Sequence, residues 1–284
     1  MLHFWPSNLV LTLVQALCVL LPAAGLPAWM RFARGWGWAL VPPLSIVVVI
    51  AAIEVLPDTA DALTWLALIA CPLLAAAALG WAMRGGWWPL ALLAAPLLLV
   101  AWTDQDTLLG QGCATALTAL SCVTLGRLIA GVSPLGWLKV GIVAMAAIDA
   151  YLVFTQKLEQ PNATLNAAVP APGLPQLQSA TFGSAVIGYG DFFVAAVFGA
   201  VAAAEGARAW AAATLTFGCC YLFDLLFLTT STLPATVPVA VALLLYEVAR
   251  PRGERSLARA FLPATSSSAG RRPRASRSRR SPTA

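Results

Sequence analysis

The sequence predicts an all-α, multi-spanning (polytopic) membrane protein with about nine transmembrane helices. Three observations predict it. Hydrophobic residues make up 60% of the 284-residue chain and charged residues only 10%, whereas soluble domains are about a quarter charged. Apolar runs of about twenty residues recur along most of it, each long enough to cross a bilayer. The connections between the runs alternate in charge, as they do when successive loops face opposite sides of a membrane. A water-soluble enzyme, a disordered chain and a fibrous protein are thereby excluded.

Hydropathy over a window of about 19 residues places spans at 8–29, 37–56, 62–82, 87–102, 107–126, 136–155, 181–203, 208–229 and 232–249. The first lacks a basic segment ahead of it and runs into a multi-span body, so it reads as a retained helix rather than a cleaved signal. Arg31 and Arg34 follow it. Asp58 and Asp61 follow the second span, Arg84 the third, and Asp104 and Asp106 the fourth, which is the shortest. Arg127 and Lys139 follow the fifth. The sixth leads into a mixed loop with Lys157 and Glu159, Arg208 follows the seventh, and an arginine tail follows the ninth. Bases follow odd-numbered spans, which places the N-terminus outside and the C-terminus in the cytoplasm.

The connection from about 156 to 180 is the one long polar loop. Pro161, Pro170, Pro172 and Pro175 make it extended or irregular. It carries a glycosylation sequon at Asn162-Ala163-Thr164. Residues 1–249 therefore form the membrane domain. Residues 250–284 hold ten arginines and one acid, and the rest of the chain has seven bases and eleven acids. The basic balance belongs to this Arg/Ser/Pro-rich tail, which is expected to be disordered. Such a tail fits apposition to anionic cytoplasmic lipid, with no nucleic acid required.

Residue counts narrow the chemistry. The sole histidine is His3 and the only lysines are Lys139 and Lys157, so a His-Glu-x-x-His zinc site cannot be built and a Ser-Lys dyad has few candidates. The six cysteines lie in apolar runs and read as small buried hydrophobes. Eight tryptophans, among them Trp81, Trp87 and Trp88, sit near span edges as an interfacial belt. Gly141 and Gly199 belong to small-residue packing faces. Hydrolytic chemistry would fall to carboxylates.

Six acids lie within or at the edges of spans: Glu54, Asp149, Asp191, Glu205, Asp224 and Glu247. A charge at bilayer depth costs about 2.5–3.5 kcal/mol, which makes each a functional candidate. Glu54 lies at a span boundary before Pro57. Glu205 and Glu247 stand three residues before Arg208 and Arg250, the spacing of a local helical pair. Asp224 has no partner near it in sequence. Asp149 and Asp191 lie inside spans six and seven, which are consecutive and so expected to be neighbours. At 1.5 Å per residue their depths from the shared loop are roughly 9 and 15 Å, so the two can face one another. No base close in sequence neutralises either. Two apposed carboxylates share one proton, so that one takes a proton from water while the other polarises a carbonyl. Gly188 and Gly190 permit close backbone approach and loosen the helix before Asp191. Irregular backbone beside a wet cavity can pair with an unwound substrate.

Gly188-Tyr189-Gly190-Asp191 resembles the Gly-x-Gly-Asp motif of the intramembrane aspartyl proteases, the presenilin and signal peptide peptidase family. Asp149, followed by Tyr151 and Phe154, is similar to the family's other aspartate; Ile148 stands where that family usually has Tyr. The ninth span opens Leu233-Pro234-Ala235-Thr236, which resembles the family's Pro-Ala-Leu motif, with Thr236 in place of Leu. The motifs cover the C-terminal half, 136–249, as the catalytic half; residues 1–130 match only in span count and serve as scaffold. The resemblance implies an intramembrane aspartyl endopeptidase with Asp149 and Asp191 as the catalytic dyad. Gly188, Tyr189 and Gly190 would shape the site, and Pro234 and Ala235 would support it or receive substrate. No metal or organic cofactor is implied. The orientation, like that of signal peptide peptidase, implies transmembrane peptide substrates of type II orientation or signal-peptide remnants. Two alternatives are weighed against it. Prepilin peptidases also carry Gly-x-Gly-Asp, but their aspartates work at the cytoplasmic face. A proton-coupled transporter would more often show inverted repeats, and none is evident here.

Overall fold

The computed structural model describes residues 4–25, 32, 34–56, 58–206, 208–228 and 233–249. The expected tail, His3 and Arg31 lie outside the described residues. Among the described residues there are ten α-helices and one two-stranded hairpin. Five helical stretches are long and apolar enough to cross a membrane: Trp36–Val55, Thr59–Ala82, Leu108–Val132, Leu135–Phe154 and Ala209–Leu228. Four shorter apolar helices stand at Phe4–Leu20, Trp88–Thr103, Tyr189–Ala204 and Thr236–Ala249. The chain is a helical multi-pass membrane protein.

The helices, in order, are α1 (Phe4–Leu20), α2 (Val41–Val55), α3 (Thr59–Ala77), α4 (Ala94–Thr103), α5 (Leu108–Val132), α6 (Leu135–Phe154), α7 (Glu159–Ala167), α8 (Tyr189–Ala204), α9 (Ala209–Asp224) and α10 (Thr236–Ala249). Tight 3-10 turns lead into α2 at Trp36–Leu40 and into α4 at Trp88–Leu93, each with Pro at or just beyond the entry, where a missing N–H is tolerated. A wider π turn at Ala78–Ala82 prolongs α3. Thr107 caps α5 by accepting from the Gly110 N–H at 3.1 Å.

The centre of the bundle is α8. Nearly every residue from Phe192 to Ala203 is buried, and an all-apolar helix of this kind belongs inside a bundle. It packs against α1, α5, α6, α9 and α10. Glycines set two of these approaches. A Cβ at Gly199 would lie 2.2 Å from the Val19 carbonyl oxygen of α1, and one at Gly126 of α5 would lie 2.6 Å from the Ala196 carbonyl carbon. Phe198 of α8 meets Tyr246 of α10 edge to face, with ring centroids 5.8 Å apart. A second apolar cluster joins α3, α4 and α5 through Cys71, Ala75, Ala101 and Leu117.

Three expectations about the backbone are corrected. The first span ends at Leu20 rather than near 29, and Pro22 then forms a bridge to Met83. The loop after α6 is less irregular than its prolines suggest. It contains α7, in which Pro161 occupies the first turn, where no helical hydrogen bond is lost. The seventh span is only partly helical. Its first residues form strands β1 (Ser179–Phe182) and β2 (Ala185–Gly188), paired antiparallel through the turn at Gly183-Ser184. Gly183 has φ +61°, the left-handed backbone that two-residue hairpin turns require. The turn is pinned to α5 by Gln111, whose Oε1 accepts from the Gly183 N–H at 2.7 Å. It is pinned to α1 by Ser7, whose Oγ accepts from the Ser184 N–H at 3.3 Å.

The close approach at Gly199 gives a stability prediction. Gly199→Val should destabilise the purified protein by about 1–3 kcal/mol or more, the scale of overpacking a tight helix contact. Gly218→Ala, where an added Cβ meets nothing within 4 Å, should be neutral or stabilising. Thermal unfolding in detergent measures both.

Candidate functional site

Asp149 lies three-quarters of the way along α6 and is only 7% exposed. Its carboxylate is bonded from across the bundle. The Thr236 hydroxyl, in the first residue of α10, donates to Asp149 Oδ2 at 2.5 Å. Asp149 is thereby tied to the first residue of α10.

Asp191 sits elsewhere than expected along its own helix. Because β2 runs to Gly188, α8 begins at Tyr189 and Asp191 is its third residue. It stands at a strand-to-helix junction and not ten residues into a helix. Its Oδ2 accepts from the Gly188 N–H at 3.1 Å, a bond that holds the carboxylate against the incoming chain in the manner of a capping box. An acid in the first turn also meets the favourable end of the helix dipole. Asp191 is half-buried.

The two aspartates are brought together. They lie close enough for their charges to interact. A Cβ at Gly190 would come within 3.5 Å of Met145 Cε, one turn before Asp149 on α6. No basic side chain among the described residues forms an ion pair with either.

The other motif residues frame this pair. Gly188 ends β2 and donates to Asp191; Gly190 leaves the room that Met145 uses. Tyr189 is tied to α5. Its hydroxyl and Ser121 Oγ of α5 are 2.9 Å apart and hydrogen-bonded, and its carbonyl accepts a weak bond from Cys122 Sγ at 3.7 Å. Pro234 and Ala235 lie in non-helical chain just before α10. The Ala235 carbonyl accepts from Gln15 Nε2 of α1 at 3.3 Å. The Pro-Ala-Thr segment is thus held from two sides, by Gln15 and by Asp149.

Sequence reasoning missed Thr236, Gln15 and Ser121 as partners of the site. Thr236 was read as a departure from a motif, yet threonine at the start of a helix is a capping signal. Gln15 and Ser121 are polar side chains in apolar helices, buried at 2% and 0% exposure, and a polar group there needs a partner.

The remaining acids are also placed. Asp224 does have a partner: Thr12 Oγ1 of α1 donates to its Oδ2 at 2.8 Å. Glu54 is exposed at the end of α2. Glu205 and Glu247 are both paired across the bundle. Lys139 Nζ, fully buried on α6, donates to Glu205 Oε1 at 2.7 Å and to Glu247 Oε1. Arg250, the expected partner of Glu247, lies outside the described residues. Arg127 and Lys139, read from sequence as loop bases, both lie within helices, near the end of α5 and the start of α6.

No protein-family model matches the chain, and no match is found among curated proteins or solved structures.

Two predictions follow from the bonding. Thr236→Val leaves the buried Asp149 carboxylate without its hydroxyl donor and should cost about 1–3 kcal/mol. In a double-mutant cycle with Asp149→Ala the two losses should be strongly non-additive. Lys139→Met leaves two buried glutamates without their cation and should cost about 3–5 kcal/mol. Denaturation of the purified protein reads out all four variants.

Proposed function

We propose that the chain is an intramembrane aspartyl endopeptidase, with Asp149 and Asp191 as its catalytic pair. One observation carries the reading. Two carboxylates from different helices meet inside an apolar bundle with no ion-pair partner among the described bases, and each is held by a donor on one oxygen only. The ionised member would accept a proton from water. The protonated member would donate to the carbonyl oxygen of the scissile peptide, and the tetrahedral adduct would collapse with proton return to the leaving amine. The arrangement needs no metal.

The hairpin adds a place for the substrate. A peptide bond in a helix is protected by its own hydrogen bonds, so cleavage requires local unwinding. β2 pairs with β1 on one side, and no described strand pairs with its other edge. That edge leads directly into Asp191. An unwound segment adding to it as a third strand would satisfy its own backbone and present its peptide bonds to the dyad. Irregular backbone is tolerated at membrane depth where it lines such a cavity. The Pro-Ala-Thr segment faces the same pair from α10.

The finer topology belongs to this proposal. Nine crossings, with the N-terminus outside and the C-terminus cytoplasmic, place the aspartates toward the outer half of the bilayer. Substrates would then be single transmembrane segments of type II orientation, or signal-peptide remnants.

The test is cleavage of tagged single-span substrates, in both orientations, by the full-length protein in liposomes. The wild type should cut type II segments. Asp149→Ala and Asp191→Ala should each lose at least about a hundredfold in rate, the scale of a lost general acid or base, while remaining folded. Retained cleavage by both single variants would sink the mechanism. Cutting restricted to a prepilin-like leader at the cytoplasmic face would reassign the chemistry to a leader peptidase.

A further inference from the structure

We propose that a cavity at the far end of the bundle from the aspartates is a site for a phosphate-class anion, the headgroup of an acidic phospholipid or free phosphate. The cavity encloses about 710 Å³ where α5 ends, α6 begins and α8 ends. Arg34, Arg127, Ser133 and the first residues of α6 line it.

Arg127 is the first argument. The residue is only 9% exposed, yet every described group it bonds or stacks on is neutral. Nε donates to the Gly25 carbonyl at 2.9 Å, Nη2 to the Ala24 carbonyl at 3.2 Å and Nη1 to the Trp81 carbonyl. The guanidinium stacks on the Trp81 ring at 3.9 Å. Carbonyls and a ring face orient the cation without cancelling its charge. No carboxylate among the described residues pairs with it. The three bonds use three of its five N–H groups, which leaves one on each Nη to donate to an oxyanion.

Ser133 is the second and independent argument. It is 8% exposed, and its Oγ has no hydrogen-bond partner. A buried hydroxyl is normally satisfied. This one lines the same cavity as Arg127 and lies one residue before the N-cap of α6.

The backbone and the rim complete the set. α6 is twenty residues long and opens on the cavity with its N-terminus, the end that carries partial positive charge and unpaired amides. Arg34 adds a second guanidinium at the exposed rim. Two guanidiniums, a serine and a helix N-terminus line one cavity, with no described acid among its lining residues. Several acceptor oxygens on one group satisfy all of them together, as a phosphate does. The depth also fits. Arg127 lies five residues before the end of α5, about 8 Å along the axis, where a span passes into the headgroup region. This inference is independent of the protease reading, since it uses none of the residues assigned to the aspartate pair.

The test uses the full-length protein in detergent. Phosphatidylglycerol, phosphatidylcholine and inorganic phosphate are compared at matched ionic strength, by native mass spectrometry for bound lipid and by thermal unfolding. Arg127 holds three carbonyls, and its replacement risks the fold. Arg34→Gln and Ser133→Ala therefore carry the test. The wild type should bind phosphatidylglycerol at least tenfold more tightly than phosphatidylcholine, and each variant should lose at least about fivefold of that affinity. Stabilisation by inorganic phosphate without a preference for phosphatidylglycerol, lost in the same variants, would assign the site to soluble phosphate. Equal binding of the two lipids with no response to phosphate would overturn the proposal. Binding unchanged in both variants would overturn it equally.

Discussion

Lys139 and its two glutamates fix how three helices stand against one another. A lysine fully removed from solvent is stable only with partners, and the apolar surroundings that make its isolation costly also strengthen its pairing. Here the partners come from two other helices, Glu205 at the end of α8 and Glu247 near the end of α10. The start of α6 must therefore meet the ends of α8 and α10, which makes α6 antiparallel to both. At the opposite level the end of α6 meets the starts of α8 and α10, and there Asp149, Asp191 and Thr236 gather. Ten residues separate Lys139 from Asp149 and eleven separate Thr236 from Glu247. Those are rises of about 15 and 17 Å, so the two polar levels match in spacing along α6 and α10. A slip of either helix would break both at once.

The third helix differs, and the difference bears on chemistry. Asp191 and Glu205 are fourteen residues apart, about 21 Å, so α8 is longer between the two levels. It reaches the acid level through its first turn, directly from a strand. A helix start has amides to offer and a chain that enters from the side. The Gly188 N–H takes an Asp191 oxygen, and the extended backbone of β2 continues away from it. One aspartate is therefore fixed within a long helix and the other at a junction, where backbone hydrogen-bonding groups are available to something other than the protein's own helices. Under the proposed function, that junction is where an unwound peptide would pair.

Much of this was legible in the sequence, and the failures share a cause. Each of the nine apolar helices among the described residues overlaps a stretch that hydropathy marked, although the first stops short at Leu20 and the seventh opens as a hairpin, because apolar composition is a local property of about twenty residues. The membrane setting of Asp149 and Asp191 was legible for the same reason. The hairpin was not. Ser179–Gly188 is apolar and short, and hydropathy does not separate a buried strand from the first turns of a helix. The pairing of the glutamates was lost because i,i+3 spacing suggested Arg208 and Arg250, whereas Lys139 is 66 and 108 residues away. A base three residues from an acid is visible in sequence; one brought there by tertiary packing is not. Arg127 and Lys139 show the converse error. Each was counted as a loop charge because charge in an apolar protein is expected outside the bilayer. Each is instead buried and partnered by groups distant in sequence, carbonyls for one and carboxylates for the other.

Threonine at position 236 shows why a departure from a motif can carry information. A leucine there would fill space and leave Asp149 to find its donors elsewhere. Threonine is nearly as compact as valine and supplies a hydroxyl, so the same position both starts α10 and holds Asp149 Oδ2. The segment before it is non-helical and is itself held by Gln15 through the Ala235 carbonyl. Pro234 suits that geometry, because its ring disfavours helical backbone at Leu233 before it. The residues that look conformational, Pro234 and Ala235, therefore place a chemical group, Thr236, on the carboxylate that needs it. A site assembled this way depends on the position of α10 as much as on the two acids. The lysine at the other end of the bundle is what sets that position.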